Sequence, residues 1–262
     1  MKYLDYGKST WEEFNEAIIE KSSLILIPIG CLEEHGPHLP LNTDGIIAKK
    51  ICQFVAKLNN IILGPTILFG TSRTTQGFPG TIEIQINTLR ALTYDIVYSF
   101  ASQGAKNIVL FTWHGGVSHS TTLREACIDV LEKIREEKNL PKAMDLNQFE
   151  SLPHIYLLSG VRLFDGKIEK DITAILDTEP YHAAELETSI MLYLQPKLVK
   201  RDKLENLKEF PTFPEERVFA RGNPWLIKGL MGNASTSTSE KGKKIFEIFI
   251  NTLSERINEY IK

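Results

Sequence analysis

Cysteine is scarce in this 262-residue chain: Cys31, Cys52 and Cys127 are scattered, odd in number and form no CxxC pair. That excludes a disulfide framework and a thiolate zinc site. An excess of one charge is also lacking. The 30 Lys and Arg against 33 Asp and Glu leave a net charge of -3, and no basic stripe alternates with aromatics. Nucleic acid is therefore not an expected partner. No apolar run reaches the roughly 18 residues of a membrane helix, and Met1-Lys2-Tyr3-Leu4-Asp5-Tyr6 has no apolar signal core. The expectation is a cytoplasmic protein with no membrane partner. Internal repeats and low-complexity tracts are absent as well.

What is present reads as a folded globular chain. A 42% hydrophobic and 24% charged composition is ordinary for that class, and residues 1–262 read as one domain with one substantial core. Strand-like and helix-like segments alternate. Residues 22–29, 61–63, 107–112 and 154–159 read as buried strands. Helical patterns cover 44–58, 86–103, 120–138, 181–194 and 239–261. The second helix carries Leu89, Leu92, Ile96, Val97 and Phe100 at helical spacing and stops at Gly104; the third is expected to hold Glu132, Arg135 and Glu136 on its solvated side. Residues 197–232 are rich in charge, Pro and Gly and read as a long irregular excursion. The alternation predicts an α/β fold, a three-layer αβα sandwich with a mainly parallel central sheet.

Three clusters carry chemistry. The first is Gly30-Cys31-Leu32-Glu33-Glu34-His35-Gly36-Pro37-His38-Leu39-Pro40, closed by Asp44. It follows an apolar strand, so Glu33, His35 and Asp44 would emerge at a strand end, where α/β proteins place their chemistry. Glu33 and His35 are two apart and point the same way in an extended segment, while Glu34 points oppositely. Glu, His and Asp together suit zinc, manganese or iron without choosing among them. The competing reading is a polar loop with an ordinary helix cap at Thr43 or Asp44. Cys31 reads as a small residue packed under this loop, with a nucleophilic role as the lesser alternative; Cys52 and Cys127 read as core.

The second cluster is Thr112-Trp113-His114-Gly115-Gly116-Val117-Ser118-His119. His114 would sit at a second strand end, with two glycines letting the chain turn. His119 is expected to be exposed in a first helical turn. In the third, Tyr181-His182-Ala183-Ala184-Glu185-Leu186-Glu187-Thr188-Ser189, helical spacing sets His182 and Glu185 on one face and Glu187 away from both. Carboxylates at a helix start need no function beyond the helix dipole.

These clusters resemble the creatininase family of metal-dependent amidohydrolases, the creatinine amidohydrolases. Phe78-Pro79-Gly80-Thr81, the run Gly229-Leu230-Met231-Gly232-Asn233 and Glu240-Lys241-Gly242 add to the likeness, in the family's order. The resemblance implies hydrolysis of a non-peptide or cyclic amide C–N bond by a hydroxide bridging two divalent metal ions. It sets Asp44 at the position bridging both ions, Glu33 and His114 on one, and His35 on the other. An acidic residue that creatininase carries two places after the matching histidine is Gly116 here. The family pattern then points to Glu187 as the fifth ligand, whereas the helix-face spacing points to Glu185; Glu187 is taken, with Glu185 as the rival. His182 matches a histidine placed near proton delivery to the leaving nitrogen, which makes it the general acid/base candidate. Glu34 and His38 are expected to position the loop.

Departures bear on substrate. Residues 71–80 lack a Glu-His pair that many relatives carry, Thr112-Trp113 replaces a frequent Asn-Gly, and Val117 replaces an Asn. Creatinine becomes one option beside formamides and peptides, both processed within the family. Arg73, Trp113 and Trp225 are the pocket candidates. The resemblance also implies a homo-oligomer, often a hexamer. A metal-binding scaffold without hydrolysis is the alternative from another functional class.

Overall fold

Residues Leu24–Ile29 form a strand buried along its whole length, which requires cover on both faces. In the computed structural model, which describes residues 3–20, 24–160, 166–211 and 226–261, that strand is β2. With β1 (Leu4–Asp5), β3 (Ile62–Leu63), β4 (Asn107–Thr112) and β5 (His154–Ser159) it forms a sheet of order β1-β3-β2-β4-β5. All four pairings are parallel.

Strand alternation splits the core between two faces. Leu24, Leu26, Val109 and Phe111 face the helices α2 (Thr43–Asn59), α6 (Gly166–Thr173), α7 (Glu185–Leu194) and α8 (Ser239–Ile261). Ile25, Ile27, Ile29, Ile108 and Leu110 face α1 (Trp11–Glu20), α3 (Ile86–Ser102) and α4 (Val117–Glu137). The three-layer α/β sandwich expected from the alternation is the one observed. A short helix α5 (Leu146–Glu150) opens with a capping box between Asp145 and Gln148. Two short strands, β6 (Lys208–Glu209) and β7 (Gly232–Asn233), pair in antiparallel fashion within the excursion.

Some local expectations need correction. The helix expected from residue 181 begins at Glu185, because Ala183 takes a left-handed conformation (φ 53°) that no helix continues through. His182 thus lies outside the helix, and the face argument that paired it with Glu185 does not apply. Arg135 is buried rather than solvated: Nη1 donates to the Leu140 carbonyl at 2.9 Å, and Nε and Nη2 reach Glu132.

Topology sets the place of chemistry. From β2 the chain passes to β3 on one side, and from β4 to β5 on the other, so a crevice opens between the ends of the adjacent β2 and β4. Trp113 N–H donates to the Ile29 carbonyl at 3.0 Å and holds those ends together. Gly30 then packs on the start of α2: a Cβ there would lie 2.6 Å from Gly45 Cα and 2.7 Å from the Asp44 carbonyl carbon. Glycine at this position brings the first turn of α2, with Asp44, against the strand end.

Candidate metal centre

The crevice gathers Glu33 and His35 from the segment after β2, Asp44 from the first turn of α2, His114 after β4, and His182 and Glu187 around the start of α7. Three sets of donor atoms each lie within 4.8 Å of one another: Glu33, Asp44 and His114; His35, Asp44 and Glu187; and Glu33, His35 and His182. Asp44 belongs to the first two. Its Oδ1 is 3.2 Å from His35 Nε2, and its Oδ2 is 3.3 Å from His114 Nδ1. Glu33 Oε1 lies 2.6 Å from His114 Nδ1, and Glu187 Oε2 lies 3.8 Å from His35 Nε2.

The far side of each imidazole fixes which nitrogen faces the cluster. His35 Nδ1 is 3.2 Å from the Glu33 carbonyl, and His114 Nε2 is 3.1 Å from the Thr71 carbonyl. A carbonyl only accepts, so those nitrogens carry hydrogen, and His35 Nε2 and His114 Nδ1 are the nitrogens turned toward the carboxylates, each able to give a lone pair to a cation in place of a proton. Among the described residues, buried Glu33 Oε1 and Asp44 Oδ2 have only the His114 imidazole beside them and no other hydrogen-bond donor. Carboxylate oxygens and imidazole nitrogens converging with no Lys or Arg paired to them are the arrangement a cation fits.

Electrostatics agree with that fit. Glu33, Asp44 and Glu187 are buried. Their ion pairs among the described residues are with histidines, not Lys or Arg. Burial alone would push the Glu33 and Asp44 carboxyls up, yet His114 holds Glu33 well below the usual range, and His35 with His114 lowers Asp44. Burial opposes charge on His35, but Asp44, followed by Glu187 and Glu33, raises it to about 10; Glu33 and Asp44 likewise raise His114 against burial. The carboxylates thus call for positive charge at this place, which protonated imidazole or a bound divalent ion would supply.

Surrounding groups hold the donors. Ser72 Oγ and Thr75 Oγ1 both donate to Glu33 Oε2, and Glu83 accepts from the Ser72 amide. Sequence reading missed Ser72 and Thr75; the only signal was a hydroxyl-rich loop ahead of Phe78-Pro79-Gly80-Thr81. Thr81 Oγ1 accepts from Glu34 N–H at 3.0 Å, tying that motif to the first cluster. Glu34 Oε2 accepts from Gly36 N–H, and its backbone carbonyl is 3.0 Å from His182 Nε2. Burial, reinforced by the charges of His35 and His182, lowers His38 to about 4, and its Nε2 meets Thr188 Oγ1 at 2.7 Å.

Other expectations resolve differently. Glu185 is remote in its bonding: Oε2 accepts from the amides of Asp177 and Thr178, and Oε1 pairs with Lys241. Glu187, not Glu185, stands beside His35. His119, expected to be exposed, is fully buried; burial and the neighbouring His114 lower it to about 3, and its ring meets His114 edge-on at 5.0 Å. Cys31 is buried, and burial, with Glu33 and Asp44, pushes its thiol up, so it stays protonated. Cys52 and Cys127 are buried in the core.

Beside the donors lies a cavity of about 420 Å³, lined by Glu33, Asp44, His114, His182 and Glu187. Trp113 and exposed Arg73 also line it. Trp225 falls outside the described residues. Among the described residues, no helix is long and apolar enough to cross a membrane.

Fold and site together define an α/β protein with a buried cleft of carboxylates and imidazoles at its switch point. The chain belongs to the creatininase family: the family model described as creatinine amidohydrolase matches residues 7–257, and the chain is an amidohydrolase of that family. It is 27% identical over 263 residues to a creatinine amidohydrolase of Pseudomonas putida, covering 97% of this chain and 95% of the relative. It is 26% identical over 262 residues to a mycofactocin precursor peptide peptidase of Mycolicibacterium smegmatis, covering 97% and 90%. A zinc-zinc form of a mutant creatininase superimposes with a TM-score of 0.84 at 25% identity, covering 100% of this chain and 99% of that one.

Proposed function

We propose that this chain hydrolyses the C–N bond of a small-molecule amide or lactam at a centre for two divalent metal ions, zinc, manganese or iron. The observation that carries the reading is the double engagement of Asp44, whose two oxygens face His35 at 3.2 Å and His114 at 3.3 Å. In this reading Glu33 and His114 share one ion with Asp44, and His35 and Glu187 share the other with it. Ions bound there supply Lewis acidity toward a carbonyl and lower the pKa of a water.

The chain's own residues do the remaining work. A cavity of about 420 Å³ has the size of a small-ligand site, which favours a compact amide over an extended peptide. Trp113, Leu186 and Met231 give it an apolar wall that excludes water from the reacting bond. His182 lines the same cavity, with Nε2 held by Glu34. Its Nδ1 is left to pass a proton to the departing nitrogen, as a general acid must. Ser72 and Thr75 keep Glu33 Oε2 occupied, so that Oε1 is the oxygen offered to the cluster.

Elemental analysis of protein purified without chelator tests the reading. About two metal ions per chain in the wild type, both lost in Asp44→Asn with hydrolysis of small cyclic amides or formamides, is the expected result. A wild-type chain that takes up no zinc, manganese or iron overturns it.

A further inference from the structure

Trp113 is held in one position. Its indole is buried, meets Phe249 of α8 edge-on at 4.9 Å, and lies so near Gly160 that a Cβ there would come 2.5 Å from the ring. From that position Nε1–H donates to Glu187 Oε1 at 2.8 Å. An indole N–H can only donate, so Oε1 is the acceptor in this pair. The other oxygen, Oε2, accepts from the Ala183 amide at 2.6 Å and is the one facing His35 Nε2. Ala183 presents that amide through its left-handed backbone. The Glu187 carboxylate is therefore clamped from two directions, one of them an aromatic side chain that also walls the cavity.

We infer that Trp113 is a positioning residue: its indole N–H orients Glu187 so that Oε2 is presented to the metal ion shared with His35 and Asp44, leaving the ion shared by Glu33 and His114 unaffected. This rests on the two-metal reading above. On the other side of Asp44, the hydroxyls of Ser72 and Thr75 hold Glu33 in the equivalent way. The two ions are thus oriented by chemically different groups, small hydroxyls on one side and a rigid aromatic donor on the other. Groups that orient a metal ligand through a hydrogen bond commonly change affinity by about 10- to 100-fold when removed.

The test is calorimetric titration of chelator-stripped protein with zinc, comparing wild type with two variants. Trp113→Phe removes the N–H and part of the ring. Replacing Trp113 by benzothienylalanine keeps the ring's shape against Phe249 and Gly160 but has sulfur in place of N–H. Both variants are expected to bind one zinc as the wild type does and the other about 10- to 100-fold more weakly, with Glu187→Gln weakening the same site and adding little when combined with Trp113→Phe. If the benzothienyl variant binds both ions with wild-type affinity, Trp113 serves only packing and the inference fails while the two-metal reading stands. If the wild type binds neither zinc nor, in the same titration, manganese or iron, both fail.

Discussion

The carboxylates of Glu185 and Glu187, two residues apart at the start of α7, serve separate networks: Glu185 pairs with Lys241, whereas Glu187 Oε1 accepts from Trp113 and Oε2 faces His35. One turn of backbone thus feeds both a structural lock and the candidate metal centre. The left-handed Ala183 makes this division possible, because it starts the helix after His182 and turns Glu187 inward.

Opposite outcomes follow for the two glutamates. Glu185→Gln leaves Lys241 with a weakened partner beside amides that need an acceptor, and loss of one partner of a buried pair costs on the order of 3 kcal/mol. Chemical denaturation is expected to show that loss while the folded protein keeps its metal content. Glu187→Gln also sets an NH2 against one of its two N–H donors, Trp113 or Ala183, but its distinguishing result is one ion bound more weakly by the folded protein. Loss of metal from folded Glu185→Gln would contradict the assignment.

Gly30→Ala tests how closely α2 must approach the strand end. The added methyl meets the backbone at Asp44 and Gly45 rather than a flexible side chain, so α2 must shift. Overpacking of this kind costs about 1–3 kcal/mol or more. A lowered denaturant midpoint is expected and, on the proposed two-metal reading, weakened binding of both ions, since the shift moves Asp44.

His38 gives an acid dependence with a definite sign. Its folded-state value is lowered from 6.5 to about 4, so the unfolded chain binds a proton that the folded one rejects between those values. Stability from this residue is complete above about pH 6.5 and falls as pH drops toward 4, by roughly 3 kcal/mol in all. His38→Gln, which can still bond Thr188, is expected to flatten the stability of the metal-free protein over that window. An unchanged slope would show that another group governs it.

Much of this was legible in the chain. The runs at 107–112 and 154–159 are apolar and bounded by polar residues, and both are strands over those residues. Periodicity likewise found α3 and α8 to within a residue, because their buried faces repeat regularly. Long-range relations were less visible. His119 reads as exposed from its place in a helix start, yet Gly70, from a loop nearly fifty positions earlier, packs against its ring. Arg135 looks solvated until the Leu140 carbonyl folds back to receive it. Ser72 and Thr75 carry no periodic signal, and only the folded loop brings their hydroxyls to Glu33. Motif spacing gathered Glu33, His35 and Asp44, and the family pattern pointed to Glu187, whereas helix-face spacing pointed to Glu185 because it could not see the left-handed Ala183 that starts the helix later.

The donors of the crevice are scattered from Glu33 to Glu187 along the chain, and that scatter imposes a timetable. As synthesis proceeds from the N-terminus, β2 and the first turn of α2 emerge long before the strand bearing His114, and α7 comes later still. A nascent chain holding only the first motif exposes carboxylates with no complete set of partners. If the crevice holds the proposed ions, their capture in the full geometry can come only after most of the sheet and its distant helix have closed, and occupancy would act as a certificate of finished folding. Ligand bound only by the finished state stabilises that state alone, and scarcity of the ion in the cell would be felt as slower maturation and faster turnover of the protein, as well as lost catalysis.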